Sequence, residues 1–231
     1  MFYDLHIHSA LSPCADNDMT ANNIINMAKL KGLDLIAICD HNSVKQQLAI
    51  SKVAKEKGID LLYGIEIQTK EEVHVLAYFN KLEDCLAFGN EIETLRLKIK
   101  NEPRYFGDQL ILDANDEIVT IEEWLLIASL ELDLDQLTWM IHQYHGVVVL
   151  AHVLDRINGI IQQLGFIPQT LVFDGIEIKS EDQRSLLIKQ YPWLSDKVWL
   201  INSDAHSLDQ ISDAKNMLTK QDLLNLWRNV T

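Results

Sequence analysis

Seven short apolar runs, most of them followed by a helix-patterned segment, limit what this chain can fold into. They begin with "DLHIHS" (4–9), "LDLIAICDH" (33–41), "IDLLYGIEIQT" (59–69) and "EVHVLAYF" (72–79). After a gap come "GVVVLAHV" (146–153), "FDGIEIKS" (173–180) and "KVWLINSDAH" (197–206). Continuous apolar runs of this length suit parallel strands buried on both faces, with helices between them. Between the first two runs, "MTANNIINMAKLKG" offers Thr20 as an N-cap, Ile24, Met27 and Ala28 at helical spacing, and Gly32 as a stop. Residues 43–57 predict a helix ending at Gly58, and further helices are expected near 155–164, 181–190 and 207–229. Residues 81–145 break the rhythm and predict an insertion between strands four and five. Three helix-patterned stretches, "LEDCLAFGNEIETLRLKIK", "IEEWLLIASL" and "LDQLTWMIHQYH", flank an acidic loop at Asp113 to Glu117. The expectation is one α/β domain over 1–231 carrying this helical insertion.

The opening run poses the functional question. Side chains alternate along a strand, so His6 and His8 point to one face while Leu5 and Ile7 point to the other. Six of the eight histidines (His6, His8, His41, His74, His152, His206) fall in or just after the expected strands, as do Glu66 and Asp204. In a closed parallel barrel the C-terminal strand ends converge on one face, where such folds place their active sites. Imidazole and carboxylate donors without thiolate suit zinc, manganese or iron. A carboxylate such as Glu66 has two oxygens and can bridge two ions. His142 and His145, three apart on an expected helix, read as helix-surface or helix-end groups.

Charge and cysteine content narrow the setting. With 34 acidic against 20 basic residues the net charge is −14, which disfavours long nucleic acid as a partner. A small phosphorylated substrate stays compatible, since bound metal supplies positive charge locally. Cys14, Cys39 and Cys85 are scattered, predicting reduced thiols and a cytoplasmic setting. The first motif begins at Asp4, leaving no room for a cleaved signal peptide, and no apolar run is long enough to span a bilayer.

Six of these segments, in order, resemble the motifs of the PHP (polymerase and histidinol phosphatase) family of metal-dependent phosphoesterases: "DLHIHS", "CDHNS", "GIEI", "VHVL", "LAHV" and "NSDAH". The resemblance implies a distorted, TIM-like (β/α)7 barrel, in line with the seven expected strands, and two or three divalent ions. By position, one ion takes His6, His8, Glu66 and Asp204, and a second takes Glu66, His74 and His152. A third takes His41, His206 and an acidic residue from the loop after the first strand. Relatives often carry "SDG" there. This chain has "LSPCADND", so Asp16 is the expected ligand and Asp18 its alternative, with Pro13 and Cys14 nearer the usual position.

The activity implied is hydrolysis of a small phosphate ester, a phosphomonoester or nucleotide, by a metal-bridging hydroxide. Glu66, Asp204 and His206 are the expected catalytic residues, His206 or a metal-bound water being the acid. Asp40 is expected to orient a ligand, and Arg156, four residues past His152, to fork to a substrate phosphate as readily as to be a solvated charge. Glu177 repeats the "GIEI" context, but the resemblance gives it no ligand role, and a strand-end carboxylate held by hydrogen bonds is expected there. Cys14 has no evident base beside it. Two other readings stand beside this one. Amidohydrolases also open with an H-x-H strand, but commonly bridge their metals with a modified lysine where this chain has Glu66. Some PHP modules are non-catalytic scaffolds, but those tend to lose ligands that this chain keeps.

Overall fold

The computed structural model describes residues 1–228 and 230. Its main sheet contains the seven expected strands: β1 (Tyr3–Ile7), β2 (Leu35–Ile38), β3 (Asp60–Gln68), β4 (His74–Phe79), β7 (Val147–Leu150), β8 (Gly175–Glu177) and β9 (Val198–Leu200). They neighbour one another in that order. The sheet curls until the segment after β9 meets β1 at a single rung between Ile7 and Ala205. There the His8 amide donates to the Ala205 carbonyl at 2.9 Å and the Ala205 amide to that of His6 at 3.2 Å. The architecture is the distorted α/β barrel that the family resemblance implies.

One strand runs against the expected direction. β4 is antiparallel to both neighbours, β3 and β7, whereas the other pairs are parallel. The cause is connection length. A parallel crossover needs a dozen or more residues, whereas only 69–73 separate β3 from β4, in a tight turn closed by the Thr69 amide on the Val73 carbonyl. The reversal puts His74, the first residue of β4, opposite Gln68 at the end of β3. The start of β4 therefore lies at the same barrel end as the C-termini of its neighbours.

The strands are buried on both faces. On β4, Val75, Ala77 and Phe79 pack into an outer layer with Phe88, Leu137 and Ile141. Leu76 and Tyr78 fill the interior with Leu5, Ala37, Val149 and Leu200, a filled barrel rather than a pore. The Tyr78 hydroxyl donates to the Leu5 carbonyl at 2.7 Å, which satisfies that buried group. Helix α1 (Ala21–Leu30) is capped by Thr20, whose side chain accepts from the Asn23 amide, and it buries Ile24, Ile25 and Ala28. Helix α2 (Gln47–Lys57) ends at Gly58 and starts later than the sequence pattern suggests. The Gln47 side-chain Nε2 instead reaches back to the carbonyls of Ile38 and Gly64, at 2.8 Å each.

Gly64 is required by close packing between β2 and β3. A β-carbon there would stand 2.5 Å from Cys39 Sγ and 2.8 Å from the Ile38 carbonyl oxygen. Gly64→Ala is therefore expected to destabilise the fold by about 1–3 kcal/mol through overpacking, read as a lower denaturant midpoint at unchanged slope. An unchanged midpoint would show that the two strands can separate freely.

The insertion contains helices α3 (Leu82–Leu95), α4 (Pro103–Phe106) and α5 (Leu134–Gln143), but also a hairpin of β5 (Leu110–Leu112) and β6 (Ile118–Ile121). The helix expected over 121–130 is absent. β-Branched residues dominate "IVTI" and favour a strand. Asp113 Oδ1 accepts from the amides of Asn115 and Glu117, closing the turn. Gln109 then holds the chain beyond β6 extended, donating to the carbonyls of Glu122 and Trp124 and accepting from the Leu126 amide. Two other helices are shorter than expected: α6 (Ile160–Leu164) and, after a 3-10 turn at 208–210, α8 (Lys220–Leu226). Residue 229, the end of the expected last helix, lies outside the described residues. Helix α7 (Glu181–Gln190) matches its expected range. Among the described residues no helix is long and apolar enough to cross a membrane.

Candidate metal centre

Glu66, two residues before the end of β3, is the hub of the site. Its Oε1 lies 2.8 Å from His74 Nδ1, 3.2 Å from His152 Nε2 and 3.4 Å from His6 Nε2. Its Oε2 lies 3.0 Å from His41 Nδ1 and 3.5 Å from His8 Nε2. The two oxygens thus face different sets of imidazoles, from strands or loops far apart in sequence. Asp204 closes the other side, with Oδ1 3.5 Å from His6 Nε2 and 3.3 Å from His8 Nε2. His152 and Asp204 have positive φ, 28° and 56°. Such backbone costs about 1–3 kcal/mol for a non-glycine residue and gathers at functional sites.

The polar atoms around this hub answer whether metal ions fit. His6 Nε2 and His8 Nε2 are 3.2 Å apart, and His74 Nδ1 and His152 Nε2 are 3.3 Å apart. Two nitrogens bound at 2.0–2.1 Å to one tetrahedral ion are separated by about 3.3 Å. His41 Nδ1 is buried with no hydrogen-bond partner, being out of line with the nearby Glu66 oxygen. Paired imidazoles at this spacing around carboxylates fit divalent metal ions.

Three of these imidazoles, His6, His8 and His206, are held from behind. His6 Nδ1 lies 3.0 Å from Glu177 Oε2, and Glu177 also accepts from the His152 amide and from Asn202 Nδ2. His8 Nδ1 lies 3.0 Å from Ser12 Oγ, which itself donates to Asp40 Oδ1 at 2.7 Å. Asp40 therefore acts on His8 through Ser12. His206 Nδ1 is engaged by the Asp204 carbonyl at 2.8 Å, leaving Nε2 for the centre. Partners of this kind fix the tautomer and orientation of a metal-binding imidazole. Sequence reasoning read Glu177 as a strand-end carboxylate held by hydrogen bonds, which it is, but did not foresee that one of them would orient His6. Its signal was the repeat of the "GIEI" context, which puts both glutamates at the same end of the barrel. Glu177→Gln is expected to weaken metal affinity about 10–100-fold while the fold persists, by metal titration with circular dichroism alongside. Unchanged affinity would make Glu177 merely a packing group.

Charge is distributed unevenly among these groups. Burial alone would raise the Glu66 carboxyl, but His74, His6 and His41 hold it well below its ordinary value. Burial opposes protonation of His6, yet Glu177, Asp204 and Glu66 push its pKa well above the usual value. His8 goes the other way, lowered by burial and by His206. Burial also opposes charge on His41, but Glu66 and Cys14 raise it to about 10.

The loop after β1 departs from expectation. The Asp16 and Asp18 side chains are exposed. Instead the Cys14 thiol clusters with His8, His41 and His206, one donor atom of each lying within 4.8 Å of the others. Burial would raise that thiol, but His41 and His206 lower it to about 6. Arg156 sits at the mouth of a cleft of about 150 Å3 lined also by His41, Glu66, His74, His152, Asp204 and His206. Its half-exposed guanidinium lies 3.0 Å from Asp204 Oδ2. His142 is remote from the centre, with Nε2 2.8 Å from Asp174 Oδ2.

The PHP domain profile matches residues 4–187, which include His6, His8, His41, Glu66, His74 and His152. This chain belongs to the PHP domain family. An uncharacterised protein of Methanocaldococcus jannaschii, MJ1587, is 33% identical over 86 residues, covering 34% of this PHP chain and 50% of that protein. A 5'-3' exoribonuclease of Haemophilus influenzae is 34% identical over 77 residues, covering 32% and 27%. The matched regions thus span half or less of these relatives. Among solved structures, a protein of Bifidobacterium adolescentis assigned as a metal-dependent phosphoesterase aligns with a TM-score of 0.66 at 18% identity, over 97% of this chain and 94% of that one. Endonuclease Q, bound to a 27-mer duplex with an abasic lesion at its active site, aligns with a TM-score of 0.67 at 18% identity, over 99% and 56%.

That last likeness corrects the expectation of a small phosphorylated substrate with long nucleic acid disfavoured. The same fold accommodates duplex DNA at its active site. The physical reason is that net charge sums over the whole surface, whereas a phosphate responds to the local field, where bound ions and a few basic groups dominate.

Proposed function

We propose that this PHP protein is a metal-dependent phosphodiesterase that cleaves nucleic acid strands. The observation that carries the reading is Glu66, whose carboxylate lies within 3.5 Å of five imidazoles, among them the pairs His6 with His8 and His74 with His152, each pair with nitrogens 3.2 to 3.3 Å apart. His6, His8, Glu66 and Asp204 would hold one ion, Glu66, His74 and His152 a second, and His41 and His206 part of a third. Zinc, manganese and iron all suit this donor set. Ions held close together supply an activated water and a clamp on both the attacking and leaving oxygens of an in-line displacement.

The protein's own groups do the rest. Asp204 and Glu66 hold negative charge among the imidazoles, which fixes the ligand geometry. Arg156 exchanges its Asp204 contact for a fork onto a substrate phosphate, the kind of bidentate contact for which guanidinium is suited. His206 serves as a ligand rather than as the acid, because an imidazole with both nitrogens committed cannot relay a proton. The exoribonuclease among the relatives and the endonuclease among the fold neighbours support a diester in nucleic acid.

The test is cleavage of end-labelled RNA, single-stranded DNA and an abasic duplex by manganese- and zinc-loaded protein, beside a chelated sample and a panel of phosphomonoesters. Chelation-sensitive strand cleavage is expected, weakened in Arg156→Ala mainly through KM. Phosphate release from monoesters with every strand intact would overturn the reading.

A further inference from the structure

The loop "LSPCADND" places a sulfur where an acidic oxygen was expected. Three observations converge on it. Cys14 stands in a cluster of donor atoms with His8, His41 and His206, all within 4.8 Å of one another. His41 Nδ1 is buried without a hydrogen-bond partner, and His206 has Nε2 left over once Nδ1 is taken by the Asp204 carbonyl. The loop itself is braced by the insertion. The Leu110 amide donates to the Ala10 carbonyl at 2.8 Å, and Asn17 Nδ2 to Asp108 Oδ2 at 2.8 Å. Gly107, at φ 99°, sits so near that a β-carbon there would stand 1.9 Å from the Pro13 carbonyl oxygen. The hairpin segment thus clamps the residues on either side of Cys14.

From this geometry we propose that Cys14, with His41 and His206, forms a third metal site whose thiolate makes it selective for zinc over manganese. The proposal rests on the metal-dependent reading above and deepens it. Thiolate and imidazole together favour a borderline-soft ion such as zinc, whereas carboxylate and water suit manganese and magnesium. The exposed carboxylates of Asp16 and Asp18 then have no ligand role.

Cobalt(II) is the probe, because sulfur ligation adds a near-ultraviolet thiolate-to-cobalt charge-transfer band that oxygen and nitrogen ligands lack. The expected result is this band in the wild-type protein and its loss in Cys14→Ser, together with one bound ion per chain by elemental analysis, the other ions being kept. Cys14→Asp should restore the ion count without the band and shift the recovered site towards manganese. Asp16→Ala should change neither. Zinc should also protect Cys14 from iodoacetamide, whereas Cys39 and Cys85, both fully buried, should not react with or without metal. Circular dichroism of each variant checks folding.

A full ion count in Cys14→Ser, or cobalt bound to the wild type without the charge-transfer band, would overturn the sulfur ligand and leave the metal-dependent reading standing. Loss of one ion in Asp16→Ala instead of Cys14→Ser would return that role to the carboxylate. A wild-type protein that binds no ion at all would overturn both.

Discussion

Glu66→Gln is expected to abolish hydrolysis and to cost more than one bound ion per chain. The substitution keeps the shape but removes the charge that five imidazoles share, at 2.8 Å from His74, 3.0 Å from His41 and 3.2 to 3.5 Å from the others. It also replaces one of the two oxygens with an NH2 group, which donates hydrogen bonds and cannot ligate a metal ion. Metal ions contribute several kcal/mol of charge stabilisation to phosphoryl chemistry. At about 1.4 kcal/mol per tenfold, a loss of that size is about a thousandfold or more in rate. Elemental analysis and turnover on the best substrate, measured on the same folded sample, check the expectation. Full metal content with wild-type turnover would remove Glu66 from the centre. Glu66→Asp, which keeps the charge but withdraws it by one methylene, should recover some ion binding and little turnover.

How far the site could be read in the sequence followed from strand periodicity. His6 and His8 had to share a face because strands alternate, and Glu66 and Asp204 fell at strand ends that converge in this architecture. The direction of β4 escaped that argument, although the five residues between β3 and β4 held the signal, being too few for a crossover. The hairpin in the insertion escaped because Asp113 to Glu117 was read only as an acidic loop and the short runs on either side were given no element, although the β-branched residues of "IVTI" and the Asp113 turn favoured strands. Short segments with both characters are where tertiary surroundings decide.

The loop after β1 was harder. Asp16 was chosen because the resemblance asked for an acid, and acids at 16 and 18 were at hand. Which side chain of a loop points inward depends on backbone torsions set by distant partners, here Ala10 with Leu110 and Pro13 with Gly107. Local sequence carries little of that. Net charge misled in a different way, since a whole-chain sum says nothing of the field inside one cleft.

Metal removal should expose a pH dependence whose sign is opposite in the two states. In the metal-free protein His6 and His41 have raised pKa values, because Glu177, Asp204 and Glu66 favour the protonated form of His6, and Glu66 and Cys14 that of His41, more than burial opposes them. Groups of this kind contribute stability that is fully present below the ordinary histidine value. It is lost progressively as pH rises towards the folded value, about 10 for His41. The loaded protein needs those same imidazoles neutral, so ions compete with protons and bind more tightly as pH rises. Each proton displaced is worth up to tenfold in affinity per pH unit, about 1.4 kcal/mol. With two displaced, the stabilisation by metal should grow by about 3 kcal/mol per pH unit, on a base of about 2.7 kcal/mol at a hundredfold excess over Kd. Thermal melts with zinc or with chelator at pH 6, 7 and 8 should therefore show a Tm gap that widens by several degrees per unit. A gap that stays constant would mean that the ions displace no protons, and so that the imidazoles crowded around Glu66 do not hold them.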